Sequence, residues 1–314
     1  MKKFKYLFLV FPLVGGFSMG TISATTSFAD SYQSTKRVLS DNSFQGYLVK
    51  NGGKTLLPEE QNNVAMNQEQ IPVPELSANP YDPIPKQGTT VNEFGNIGDV
   101  LYFNDGTYME RSEHNLIIIG KYSQKNTYGM LDLGKTISFT AKCNKDPEFA
   151  KQVQSFWTET KVKRATKFKR VVYSTQPVTT LYTFNQAVQS GLSIENALHF
   201  AFTMGWKMDV KTLPDGAIAT LSELLTTTYH HPITVTEEVI HTQNIPIGVD
   251  NSSYGYTEYT AAVYQIHSVY TVEPGVALQK YLQDNHLALQ QTKFEYSDSS
   301  ISIIQTPGSY KTDS

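Results

Sequence analysis

From Tyr254 to Val272 the chain runs without a proline, and its only glycine there is Gly255. Ordinary strands hold about 3–10 residues. One continuous strand here would span roughly 60 Å at about 3.3 Å per residue. A strand of that length implies an elongated molecule with equally long neighbours. The competing reading is two ordinary strands joined at a bulge. Apolar residues fall on both faces of the run (Tyr254, Tyr256, Tyr259, Tyr264, Val269 and Tyr270), as expected where a strand passes from one packing environment to another.

Composition points the same way. Charged residues make up 18% of the chain, below the roughly 25% usual for globular proteins, while the 19 tyrosines and a second half rich in Ser and Thr suit strands. Phe168 to Phe184, interrupted at Pro177, and Ile233 to Ile247 read as further strands. The expected fold is mainly β, a β-rich α+β class, elongated, with long antiparallel strands and a few short helices.

The start of the chain reads as an export signal. Lys2, Lys3 and Lys5 precede an uncharged apolar stretch from Tyr6 to Phe17, and Ser27-Phe28-Ala29 offers small residues at a cleavage site after Ala29, with Ala24 as the second choice. Residues 1–29 are therefore expected to be a signal peptide on a secreted protein. Residues 30–90, with an Asn/Gln-rich run and Pro72, Pro74, Pro80, Pro83 and Pro85, are expected to be a flexible arm or propeptide. A β-rich region with one helix is expected over 91–160, an elongated β domain over 161–296, and a C-terminal tail over 297–314.

Local signals fill in these regions. Asp105-Gly106 between two β-type runs predicts a hairpin, and Leu116 to Ile119 a buried strand. Lys135 to Ala141 is a further strand candidate. Asp146-Pro147 opens a helix whose Phe149, Val153, Phe156 and Trp157 share one face. Ser193 can cap a second helix that ends at Gly205. Ala217 to Thr228 fits a helix face and a strand about equally well.

Few patterns carry chemistry. No nucleophile elbow, His-Glu-x-x-His helix or P-loop occurs, and Cys143 is the only cysteine. His230 and His231 would face opposite sides of a strand, as would Glu237 and Glu238, so neither pair suggests a metal site or an acid/base couple. No enzyme activity, cofactor or metal is expected. The net charge of -3 predicts no nucleic-acid partner. The basic run containing Lys163, Arg164, Lys169 and Arg170 has two readings: a contact for acidic headgroups or a site for an activating protease, or else a solvated edge strand whose lysines block aggregation.

Trp206, Met208 and Val210 alternate with Lys207, Asp209 and Lys211, and Pro214-Asp215-Gly216 forms a turn. That alternation suits either a membrane hairpin with its tip at the turn or a half-buried surface strand. Tyr254, Tyr256 and Tyr259 offer large contact area with polar tips, as a recognition surface needs.

From about residue 168 to 281, the long Ser/Thr- and Tyr-rich strands Val178 to Phe184, Ile233 to Thr242 and Tyr254 to Val272 flank an amphipathic insert. In this the chain resembles the aerolysin-like β-pore-forming toxins, the group that includes epsilon-toxin, mosquitocidal-toxin and monalysin-type proteins. The resemblance implies a secreted toxin that meets a surface receptor or target-cell membrane, forms a homo-oligomer there, and inserts a β-hairpin from each protomer. A secreted binding or adhesive β-protein without a pore is the alternative.

Overall fold

The computed structural model describes residues 44–50, 53–58, 63–66, 69–111, 117–123, 132–133, 137–138, 147–184, 187–207, 216–242 and 245–310, all within the compact unit Leu39–Ser314. The chain begins with β1 (Phe44–Lys50), β2 (Gly53–Pro58), β3 (Asn63–Met66) and β4 (Glu69–Pro72). Next come β5 (Val91–Asn96), β6 (Val100–Tyr102), β7 (Thr107–Arg111), β8 (Ile117–Ser123), β9 (Asp132–Leu133), β10 (Ile137–Ser138) and helix α1 (Pro147–Thr158). The second half holds β11 (Lys161–Pro177), β12 (Tyr182–Phe184), β13 (Ala187–Ser190), α2 (Ile194–Thr203), α3 (Ala217–Tyr229), β14 (Val239–Thr242) and β15 (Ile245–Ile247). It closes with β16 (Glu258–Glu273), α4 (Val276–Asp284) and β17 (Lys293–Gln305).

The fold is mainly β, as its composition requires. A six-stranded antiparallel sheet runs in the order β2-β1-β17-β16-β11-β5. Its centre is a long strand where the sequence led one to expect it, but beginning at Glu258 so that Tyr254 and Tyr256 precede it: β16 is continuous over 16 residues and pairs with β11 along its whole length. Bulges lie in its neighbours' register, between Arg170 and Val172 against β11 and between Gln265 and His267 against β17. A smaller sheet, β10-β8-β7-β6, contains the predicted hairpin, with Gly106 at φ 83° in its turn.

The change of environment along β16 is visible in its burial. Ala262, Tyr264 and Ile266 face a cluster with Phe168, Ile71, Val73 and Leu76. Further along the same face, Tyr270 and Val272 join the largest core, which includes Val153 and Trp157 of α1, Phe200 of α2, Leu221 and Leu225 of α3 and Leu278 of α4. On the opposite face, Tyr259, Ala261 and Val263 pack against Phe184, Val188 and Ile247. That face then opens to solvent: Thr271 and His267 are half-buried and Glu273 is exposed.

Two expectations about the ends are corrected. Residues 30–90 are not a free arm where described: β1 pairs with β17, β2 with β1, and Ile71, Val73 and Leu76 are buried on the main sheet. Where described, residues 297–310 are not a tail, because β17 runs to Gln305 between β16 and β1, with Ile301, Ile303 and Ile304 buried. Both segments are ordered by pairing with distant strands, which local composition does not reveal.

Candidate functional site: a helical insert and a tyrosine-lined end

Two short ladders, β12 with β15 and β13 with β14, carry the chain out of the main sheet and back. Everything from Gly191 to Glu238 is an insert between adjacent antiparallel strands. Its base is tightly held. Gly191 sits at φ +82°, and a Cβ there would collide with the Glu237 carbonyl, so glycine is needed. The Leu192 N–H donates to the Thr236 carbonyl at 2.9 Å, and the Glu238 N–H to the Leu192 carbonyl at 2.9 Å.

The first half of the insert follows its sequence signals. Ser193 Oγ accepts from the Asn196 N–H at 3.2 Å, capping α2. Gly205, at φ +72°, ends the helical segment and packs under the Val100 carbonyl, to which no side chain could come so near. Trp206 is buried against Gly98 and Phe200, and Lys207 turns out to Glu110 at 2.9 Å. The alternation at these two positions is therefore that of core and surface. Met208, Val210, Pro214 and Asp215 lie outside the described residues. Gly216 stands at the start of α3 and offers no side-chain cap.

Ala217 to Tyr229 is a helix, which resolves the ambiguity of that run and places the descending arm of the expected hairpin in α3. Ala217, Leu221, Leu225 and Tyr229 form its buried stripe. The chain then reverses at His230, held at φ 61°, and runs back along the helix. Ser222 Oγ accepts from the Val235 N–H at 2.9 Å, and Thr226 Oγ1 from the Ile233 N–H at 3.0 Å. The spacing explains the fit: four helical residues rise about 6 Å and two extended residues about 6.6 Å. Two hydroxyls of the helix thus take the place of a neighbouring strand.

A charged group fixes the far end of α3 to the body. Glu93 of β5 accepts from Arg164 of β11 at 2.6 Å and from the His231 Nε2–H. All three side chains are largely shielded from solvent. His231 Nδ1 is buried without a hydrogen-bond partner and borders a cavity of about 20 Å³, room for about one water.

The basic run does not behave as expected. β11 is neither an edge strand nor an exposed loop: Lys161 to Thr166 pair with both β16 and β5, and residues 86–88 cover the next stretch through Gly88 N–H to Phe168 O and Arg170 N–H to Lys86 O, each at 2.9 Å. Lys163, Arg164, Lys169 and Arg170 thus lie in backbone already hydrogen-bonded on both sides, which an activating protease could not draw into its cleft.

The tyrosine surface is partly corrected too. Tyr259 is 0% exposed, and its hydroxyl donates to Ile247 O at 2.7 Å while accepting from the Tyr182 N–H at 3.0 Å, so it is a core residue. Tyr254 is half-buried, its hydroxyl on Glu258 O at 2.9 Å. Tyr256 is 40% exposed and meets Tyr254 at 5.6 Å and Tyr81 at 6.4 Å between ring centroids. Tyr81 (60% exposed) is an exposed member that the sequence did not single out. Burial raises the pKa of Tyr254, and the neighbouring phenols of Tyr256 and Tyr81 raise it further.

Glu93, Ser222 and Thr226 were equally invisible in the sequence, since their roles depend on partners far along the chain or across a reversal. In β11, lysines at 161, 163, 167 and 169 alternate with buried 162, 164, 166 and 168, a two-residue period that reading the segment as one basic run does not separate. No protein-family model matches the chain, and no curated protein matches it.

Proposed function

We propose that this is a secreted pore-forming toxin, exported after cleavage at Ala29, that assembles into a homo-oligomer on a target membrane and inserts a β-hairpin from each protomer. The supporting observation is α3, a helix that mixes helix formers with strand-forming residues, the latter gathered in Thr226-Thr227-Thr228-Tyr229 at its end, on an insert bounded by an antiparallel ladder. Its sequence AIATLSELLTTTY includes four threonines, an isoleucine and a tyrosine, residues of modest helix and good strand propensity. No side chain caps its start, and it is held by Leu221, Leu225 and Tyr229 and by the returning segment 233–235. β13 and β14 already run antiparallel, so the ladder can extend into the insert without rethreading the chain once the parallel bridge of Leu192 with Glu237 at its base is broken. A membrane strand needs about 9–11 residues, which segments 206–212 and 217–228 on either side of Pro214-Asp215-Gly216 approach or meet.

The test is dye release from liposomes and red cells by the chain from Asp30, with and without trypsin. Release that depends on protein concentration is expected, with a detergent-resistant oligomer. Silence on both membranes would oppose the reading.

One observation favours the alternative, a binding or adhesive protein: the exposed Tyr81 and Tyr256 rings meet at 6.4 Å and give a surface with apolar area and polar tips. Saturable cell binding without leakage, lost in Tyr256→Ala with Tyr81→Ala, would select it.

A further inference from the structure

The outward face of β11 carries Lys161, Lys163, Lys167 and Lys169, all at odd positions, while the even positions 162 to 168 are buried. Lysines on an edge strand oppose aggregation, but this strand has neighbours on both sides, so that explanation fails. Their charges are also poorly compensated. Lys161 Nζ donates to the Asn96 side-chain amide oxygen at 2.7 Å and Lys167 Nζ to that of Gln87 at 2.6 Å, both neutral acceptors. Lys163 and Lys169 make no ion pair among the described residues. Across the sheet, Lys293 stands opposite Thr271 and pairs with Glu295 at 2.5 Å.

His267, opposite Lys167, reports the local field. Its pKa is lowered, first by burial and then by Lys169, with Lys167 acting in the same sense. The acidic groups on this face are Glu295, which also approaches His267 at 3.4 Å, and Glu273 opposite Lys161. Five lysines against two glutamates leave an excess of three positive charges, 5 − 2, on a chain whose net charge is -3.

We infer that this face binds a linear sulfated polysaccharide. The cations form one row along a strand, about 6.6 Å between successive odd positions and about 13 Å across Ala165, which separates Lys163 from Lys167. Such a row matches a single line of anionic groups better than the two-stranded cylinder of duplex nucleic acid. The row is all lysine, whose ammonium acts as a point charge, and carries none of the forked arginines suited to bidentate phosphate recognition. Phe94, 59% exposed and directly opposite Lys163 on β5, gives the apolar ring on which a sugar face can stack. The surface is separate from the insert and does not depend on the pore reading.

The experiment is titration of the full chain from Asp30 with a size-defined heparin oligosaccharide across a salt series, with duplex DNA and phosphatidylserine vesicles in parallel. Heparin binding is expected to weaken with salt, with a log–log slope of about 3–4 by analogy with counterion release from nucleic acid. The combined Lys163→Gln, Lys167→Gln, Lys169→Gln variant should lose at least about tenfold in affinity, and Lys→Arg at the same sites should retain most of it. Lys280→Gln, on exposed α4, should change nothing, and thermal unfolding of each variant distinguishes lost binding from lost fold. No heparin binding at low salt, an undiminished affinity in the folded triple variant, or tighter binding of DNA or vesicles than of heparin would overturn the proposal.

Discussion

Arg164 and Arg170 share a basic run with four lysines yet turn the other way. Arg164 reaches Glu93 at 2.6 Å, and the Arg170 guanidinium reaches the Ile84 carbonyl and lies 4.5 Å from the Tyr173 ring centre. The planar, weakly hydrated guanidinium accepts such shielded sites, and the ammonium prefers water. Removing Glu93 takes one carboxylate partner from the shielded Arg164 guanidinium and the acceptor from His231 Nε2–H. Glu93→Ala is expected to cost about 2–4 kcal/mol, somewhat below the figure for a fully buried pair, read as a shift in urea midpoint at unchanged slope. Tyr264 gives a second residue-scale prediction. Burial pushes its pKa up to about 12, opposed by Arg170, and its hydroxyl donates to Pro85 O at 2.8 Å. A pKa raised by folding stabilises fully below the unfolded value near 10 and is lost as pH climbs toward 12. Tyr264→Phe should therefore flatten the fall in stability between pH 10 and 12; an unchanged alkaline profile would contradict it.

At the scale of elements, α3 joins local propensity to function. Thr220 and Thr227 are exposed, so replacing both with alanine should favour the helix by about 0.5 kcal/mol each without touching the core. The proposed conversion predicts that this variant melts higher and releases dye more slowly. A faster or equal rate would separate α3 from the membrane step. The elements that the sequence made legible are those set by neighbours in the chain: the Asp105-Gly106 turn, the Ser193 cap, the stop at Gly205 and the face of α1. What stayed hidden depends on distant pairing. β1 takes its order from pairing with β17 at the other end of the chain, and α3 carries a period that strand and helix share until its partners are known. Tyr259 resembled a contact residue because a tyrosine's hydroxyl gives no sign of whether water or, as here, Ile247 O will receive it.

The whole molecule joins a long-stranded sheet, an insert folded against one face of it, and a lysine row on the other. The insert is fixed at its base by Gly191 and Leu192, at its far end by His231 on Glu93, and between them by Phe200, Trp206, Leu221, Leu225 and Tyr229 in the largest core, so its release must uncover that core as well as break the polar contacts. The central claim is that the insert becomes a membrane-spanning hairpin. Its most direct test replaces Cys143 with serine, places a single cysteine in turn at each position from 207 to 212, and labels it with a polarity-sensitive fluorophore. On adding membranes, the account predicts a rise in emission at 208 and 210 and little change at 207, 209 and 211, because alternate residues of a barrel strand face lipid and water. A uniform response, or none at any position while the protein is bound, would contradict it.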